Sequence, residues 1–181
     1  MTLKEIQKSI KNRNKKIIEL VRAEVDEISM LVVPEYANGE LMCAKYVSDF
    51  ATDGFKFIRN KLVSDIITDE KNETLEFFNS VCQKEGVFNY DKCTYSVDSF
   101  RKLFEELVKS GDAVTIECNF EDAIDYYVGK VVNLTGNLAT MQCFDGSGVL
   151  FKDKVRVNVD FVSMITLGDR YTSVMAKYVN W

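Results

Sequence analysis

The sequence predicts an α+β fold, mainly β, built as two small bent-sheet barrels, each preceded by a short helix. Three observations predict it. Helical and strand-like periodicities alternate in the same order twice along the 181 residues. Turn signals cut the strand-rich stretches into short pieces. Both strand-rich stretches close on one pattern, Val63-Ser64-Asp65-Ile66 and Val162-Ser163-Met164-Ile165.

The first helix starts at Thr2. Thr2 and Glu5 have capping-box spacing, so hydroxyl and carboxylate can satisfy each other's backbone amides. Leu3, Ile6 and Ile10 follow helical spacing, and the helix is expected to end near 12–14. KIIELVRAEV is β-branched and reads as a strand. ISMLVV reads as another, with Pro34 at its edge or end because proline cannot donate to a ladder. Asn38-Gly39 signals a hairpin. GELMCAKYV is a strand, Asp53-Gly54 a second turn, and FKFIRNKLVSDII one or two more strands.

From Asp69 to Lys84 the period changes. Leu75, Phe78, Val81 and Cys82 share a helical face, and Gly86 is a C-terminal stop. A polar and aromatic connector runs from Val87 to Tyr95. The clearest helix follows, with Phe100, Leu103, Phe104, Leu107 and Val108 as its stripe, Ser96 or Asp98 as its cap and Gly111 closing it. Strands return after Gly111. Val114, Ile116 and Cys118 alternate with polar neighbours. DYYVGKVVNL leads to a turn at Thr135-Gly136-Asn137, and LATMQCF to Asp145-Gly146-Ser147-Gly148. Lys154 to Phe161 alternates as a strand with one buried face. GDRYTSVMAKYV suits strand or helix.

The repetition divides the chain into 1–86, the first copy with its N-terminal helix and a linking helix near 70–85, and 87–181, the second copy with its leading helix. The Asp-Gly pairs of the two copies do not superpose, so a loop has moved between them.

Composition excludes several chemistries. There is no His, which removes His-based triads and imidazole metal ligands. The 5 cysteines form no C-x-x-C pair, and an odd, irregular set argues against a disulfide framework and a zinc site. They read as small apolar residues. No apolar run reaches the roughly 20 residues that cross a bilayer, and the charged N-terminus lacks a signal's apolar region. A reducing cytoplasm is the expected location. Glu117, Glu121, Asp122 and Asp125 are the candidate acids, yet NFEDAID reads as a solvated turn. D-G-S-G at 145–148 lacks the spacing of a phosphate loop. Catalysis, a metal and a cofactor are not expected.

Phe57-Ile58-Arg59-Asn60-Lys61-Leu62-Val63-Ser64-Asp65-Ile66 resembles the second motif of the Sm-like family, the superfamily of Sm, Lsm and Hfq proteins, with Asn60 where that motif has glycine. Gly129 in the second strand and Asn137 before the third resemble part of the first Sm motif. The second copy has Val155-Arg156-Val157-Asn158 in place of Ile-Arg-Gly, and the first lacks the strand-two glycine. The resemblance implies Sm-like, SH3-like barrels in tandem. It also implies RNA binding, with Arg59, Asn60 and Asn137 as the residues that carry over.

Charge bears on that implication. Lys4, Lys8, Lys11, Arg13, Lys15 and Lys16 face a single acid, Glu5, within the first sixteen residues, whereas the whole chain carries −5. A basic first helix on an acidic body contacts nucleic acid or docks on protein. Single-stranded RNA binding would use Arg59, Asn60, Asn137, Lys8, Lys11, Arg13, Lys15 and Lys16, with Tyr126, Tyr127, Phe144 and Tyr171 available for stacking. The first expectation is a non-enzymatic interaction module whose acidic body draws a protein partner, an immunity or regulatory role among the possibilities, or which self-associates. Single-stranded RNA is the alternative, and no membrane contact is expected.

Overall fold

The computed structural model describes residues 1–11, 15–22, 29–120 and 123–181. The fold is α+β and strand-rich, and every strand pairing within each of its two compact units, Met1–Ser96 and Val97–Trp181, is antiparallel.

The first unit opens with α1 (Leu3–Ile10), started by the capping box: Thr2 accepts from the Glu5 amide and Glu5 accepts from Thr2. Ile6 is its buried residue, and the helix packs on β2. The strands are β1 (Ile18–Arg22), β2 (Met30–Asn38), β3 (Leu41–Ser48), β4 (Ala51–Arg59) and β5 (Val63–Ile67), bonded in the order β5-β1-β2-β3-β4. A single 3-10 turn, Asn60–Leu62, links β4 to β5. Then α2 (Glu73–Lys84) is capped by Asn72 and ends on Gly86 at φ +70, whose following amide on Val87 reaches back to the Cys82 carbonyl at 3.0 Å. Its Leu75 and Cys82 join Ile17, Val33, Val47 and Phe88 in one buried cluster. Asn79, also buried, accepts from the Ile17 amide at 2.7 Å and donates to the Ile17 carbonyl at 3.0 Å. One side chain thereby satisfies both backbone groups where the chain enters β1.

Two sequence expectations change here. Pro34 lies inside β2, not at its end: it pairs with Ala44, and the register shifts before Tyr36. A bulge leaves no ladder bond for proline to spoil. Asp53-Gly54 is likewise no turn. The β3–β4 turn is Asp49-Phe50, both at positive φ as a two-residue turn with right-handed twist demands. Gly54, at φ +70, sits at the bulge that follows in β4.

The second unit repeats the plan. Its leading helix α3 (Phe100–Ser110) buries Phe100, Leu103, Phe104 and Leu107 and packs on β7. Ser99 caps it by accepting from the Lys102 amide, in place of the expected Ser96 or Asp98. Strands β6 (Ala113–Phe120), β7 (Ala123–Thr135), β8 (Leu138–Cys143), β9 (Val155–Asn158) and β10 (Val162–Leu167) bond in the order β10-β6-β7-β8-β9. The alternation from Lys154 ends early. Asn158 accepts from the Asp160 amide at 3.0 Å and starts a 3-10 turn, Val159–Phe161, ahead of β10. The ambiguous tail is α4 (Arg170–Tyr178), capped by Asp169 and joined to β6 by a Thr172–Thr115 hydroxyl contact of 3.0 Å.

The repetition extends to single atoms. In each unit the two-residue β2–β3 or β7–β8 turn, Gly39-Glu40 or Gly136-Asn137, lends a carbonyl to the amide that opens the 3-10 turn. Asn60 reaches Glu40 at 2.8 Å, and Val159 reaches Asn137 at 2.9 Å. In each, the last strand bulges at the serine of Val-Ser-x-Ile. Ser64 donates to the Val21 carbonyl and Ser163 to the Glu117 carbonyl, both at 3.1 Å. The second strands also bulge alike, at Glu35 and at Val132. Gly39 is therefore the counterpart of Gly136. The Asp-Gly pairs fail to superpose because one makes a strand bulge and the other a loop.

Asn79→Leu keeps the branching of the side chain and removes both bonds to Ile17. It is expected to lower the unfolding free energy by about 2–4 kcal/mol in urea titration, and an unchanged midpoint would contradict the assignment.

Candidate functional site

The structure brings Arg59 and Asn60 together against the Gly39-Glu40 turn. Arg59 is 8% and Asn60 6% exposed. The Arg59 guanidinium pairs with the Glu40 carboxylate at 3.2 Å. The Asn60 amide nitrogen donates to the Gly39 carbonyl at 3.1 Å, while its Oδ1 is buried with no hydrogen-bond partner. These groups line an open hollow of about 320 Å³ with Met1, Leu3 and Lys61.

Asn137 occupies the corresponding turn of the second unit, but its surroundings differ. It is exposed, and its amide donates to the Asp160 carboxylate at 3.1 and 3.4 Å. Each turn thus places an acid of the same unit beside the residue that resembles the family motif, Glu40 beside Arg59 and Asp160 beside Asn137. A carboxylate there opposes a phosphate.

The basic residues gather elsewhere. Lys8 and Lys11 line a separate hollow of about 680 Å³ that also carries Glu5, Asp65 and Glu70. Lys15 and Lys16 line another, and Lys16 binds Asp69 at 2.8 Å. Arg13 lies outside the described residues. Of the stacking candidates, Phe144 is buried and packs edge-on against Trp181 at 5.8 Å, and Tyr127 donates to Asp125 at 3.0 Å. Tyr126 and Tyr171 are exposed.

Of the candidate acids, Asp125 is exposed, as a solvated turn would have it, and Glu117 is not. Glu117 is 2% exposed, in the middle of β6, and accepts from the Ser163 hydroxyl at the β10 bulge. Glu121 and Asp122 lie outside the described residues. Among the described residues no three His, Cys, Asp or Glu side chains converge as metal ligands. Beside Glu117, burial first and then the charges of Asp125 and Glu117 push the Cys118 thiol up to about 12. Burial and then the bond to Asp125 push Tyr127 up to about 12.

Sequence reasoning named Tyr171 but missed the exposed apolar stripe it belongs to. Tyr171, Val174 and Tyr178 form one outward stripe on α4, and Tyr178 is 78% exposed. The loop before β9 adds exposed Val149 and Phe151, and Trp181 follows the helix. Loop and helix pack together, since a Cβ on Gly148 would lie 3.8 Å from Met175 and 4.0 Å from Val179. The signal was present as i, i+3, i+7 spacing in the tail, but that tail suited strand equally well.

No protein-family model matches the chain, and no curated protein sequence matches it. No helix among the described residues is long and apolar enough to cross a membrane.

Cys118 and Tyr127 keep their protons in the folded chain to higher pH than their ordinary values of 9.0 and 10.0. The stability they contribute is fully present below about pH 9 and is lost as pH rises through about 12. Urea midpoints measured from pH 8 to 11 are expected to fall, and Cys118→Ala to flatten the decline. A pH-independent midpoint would contradict this.

Proposed function

We propose that the chain is a non-catalytic interaction protein, built as two tandem Sm-like, SH3-like barrels, whose second unit engages a basic protein partner. The observation that carries this reading is the exposed stripe Tyr171, Val174 and Tyr178 beside Val149, Phe151 and Trp181. Aromatic and aliphatic side chains gathered on one flank are what association surfaces expose. The net charge of −5 favours a basic partner through long-range attraction. The barrel reading is supported by the strand order, with the last strand beside the first, and by the 3-10 turn that precedes the last strand in both units.

A second reading, single-stranded RNA binding, rests on a different observation. Asn60, whose buried Oδ1 has no partner, lines a hollow together with Arg59 and Lys61, two cations that would face a phosphate backbone. The paired carboxylates of Glu40 and Asp160 weigh against it.

One set of measurements separates the two. Protein captured by the full chain from nuclease-treated lysate of its own cell is expected to be basic, and to be lost with the double substitution Val174→Asp, Tyr178→Asp. Labelled mixed-sequence single-stranded RNA at low salt is expected to show no retention. Capture that survives the double substitution would overturn the protein reading. RNA retention that weakens with Arg59→Ala and with rising salt would replace it with the second.

A further inference from the structure

The connector between α2 and α3 carries a feature independent of the reading above. Cys43 lies in the middle of β3, fully buried, with Tyr36 of β2 and Phe57 of β4 as its cross-strand partners. The connector is pinned over this part of the sheet on both sides of Cys93. Before it, the Tyr90 hydroxyl donates to Glu35 at 3.0 Å. After it, the Tyr95 carbonyl accepts from the Tyr36 hydroxyl at 2.8 Å, and the Tyr95 ring meets Phe57 edge-on at 6.3 Å. The pinning residues are the sequence neighbour and both cross-strand partners of the region around Cys43. The connector thereby carries Cys93 over the part of the sheet that holds Cys43, and each thiol bears on the other's titration. Cys93 is half-buried, open to small solutes, whereas Cys43 is closed off.

We propose that Cys93 and Cys43 form a redox-active dithiol, which hydrogen peroxide converts to a disulfide tying the connector to β3. The two sulfurs have different roles. Burial pushes the Cys43 thiol up, so it keeps its proton and donates to Cys93. That donated bond, then the Tyr95 amide and the nearby Lys45 ammonium, lower the Cys93 thiol below the ordinary range, against an opposing effect of burial and of the Glu35 charge. Lys45 is itself held close, 4.2 Å from the Phe55 ring centroid and 5.5 Å from that of Tyr90. A low, reachable thiolate beside a resolving thiol is the arrangement that oxidation selects. Cys82, Cys118 and Cys143 are buried, and burial raises all three, so they serve as internal controls.

The chemistry balances with the peroxide as oxidant. The Cys93 thiolate attacks one peroxide oxygen, the O–O bond breaks, and the departing hydroxide takes up a proton to leave as water. Cys93 is then a sulfenic acid. The Cys43 sulfur attacks the Cys93 sulfur as its own proton is removed, the S–O bond breaks, and the hydroxyl leaves as a second water. Two thiols lose two electrons and two protons together, and one peroxide is reduced to two waters.

The test uses the full chain, reduced, then treated with an equimolar amount of hydrogen peroxide, alkylated under denaturing conditions and mapped by mass spectrometry. The expected product is about 2 Da lighter than the reduced chain before alkylation, has three alkylated cysteines and yields one cross-linked peptide pair joining Cys43 to Cys93. Its melting temperature is expected to rise by about 5 °C or more, since the bond closes a long loop. Cys93→Ser, at a half-buried connector position, is expected to abolish the mass loss and the shift. Cys43→Ser is expected to leave a dimedone-reactive sulfenic acid on Cys93 with no cross-link. If Cys43→Ser does not fold, the wild-type and Cys93→Ser maps decide the matter. Five alkylated cysteines after peroxide, a cross-link through Cys82, Cys118 or Cys143, or a mass loss that persists in Cys93→Ser would overturn the proposal.

Discussion

One backbone hydrogen bond in each unit carries the architecture. A five-stranded antiparallel sheet whose last strand lies beside its first must turn the chain sharply after the fourth strand, and a 3-10 turn does so. The amide that opens that turn points away from any strand and needs an acceptor. The turn after the second strand supplies it: Glu40 for Asn60, Asn137 for Val159. The two turns of a unit are therefore always neighbours, whatever side chains they carry. The serine bulges at Ser64 and Ser163 then set the register in which the last strand meets the first.

That constraint explains where each unit offers polar side chains and why their chemistry diverges. The backbone bond fixes the place and leaves the side chains free to vary. The first unit answers Arg59 with Glu40, and the second answers Asn137 with Asp160. The outer face of α4 and the loop before β9 carry exposed apolar side chains. The connector acts on a separate part of the first unit, where hydrogen bonds from two tyrosines bring Cys93 over the sheet.

Local signals were legible where one residue does one job. Thr2 with Glu5, the stripe of α3 and the glycines at 39, 86 and 111 read from sequence, because cap, stripe and turn each need a particular residue type at a particular spacing. Pro34 and Asp53-Gly54 misled for the converse reason. Proline and glycine mark any break in a ladder, and a bulge and a turn share that mark until the partner strand is known. Asp49-Phe50 gave no glycine to read, and Phe50 instead stacks on Phe78 at 4.5 Å. Glu117 looked solvated because nothing local announces that Ser163, 46 residues on, lies against it. Of the candidate site, the pairing of Arg59 with Asn60 was legible, but the acids beside them and the meeting of Cys43 with Cys93 depend on long-range register.

The central claim is that the same turn-to-turn bond holds the 3-10 turn before the last strand in both units. Amide hydrogen exchange at Asn60 and Val159, followed residue by residue in the full chain, tests it directly. Both amides are predicted to exchange more slowly than unprotected ones by about a thousandfold or more, alongside the strands that flank them. Exchange of either amide at the rate of an open loop would show that its 3-10 turn is held in some other way.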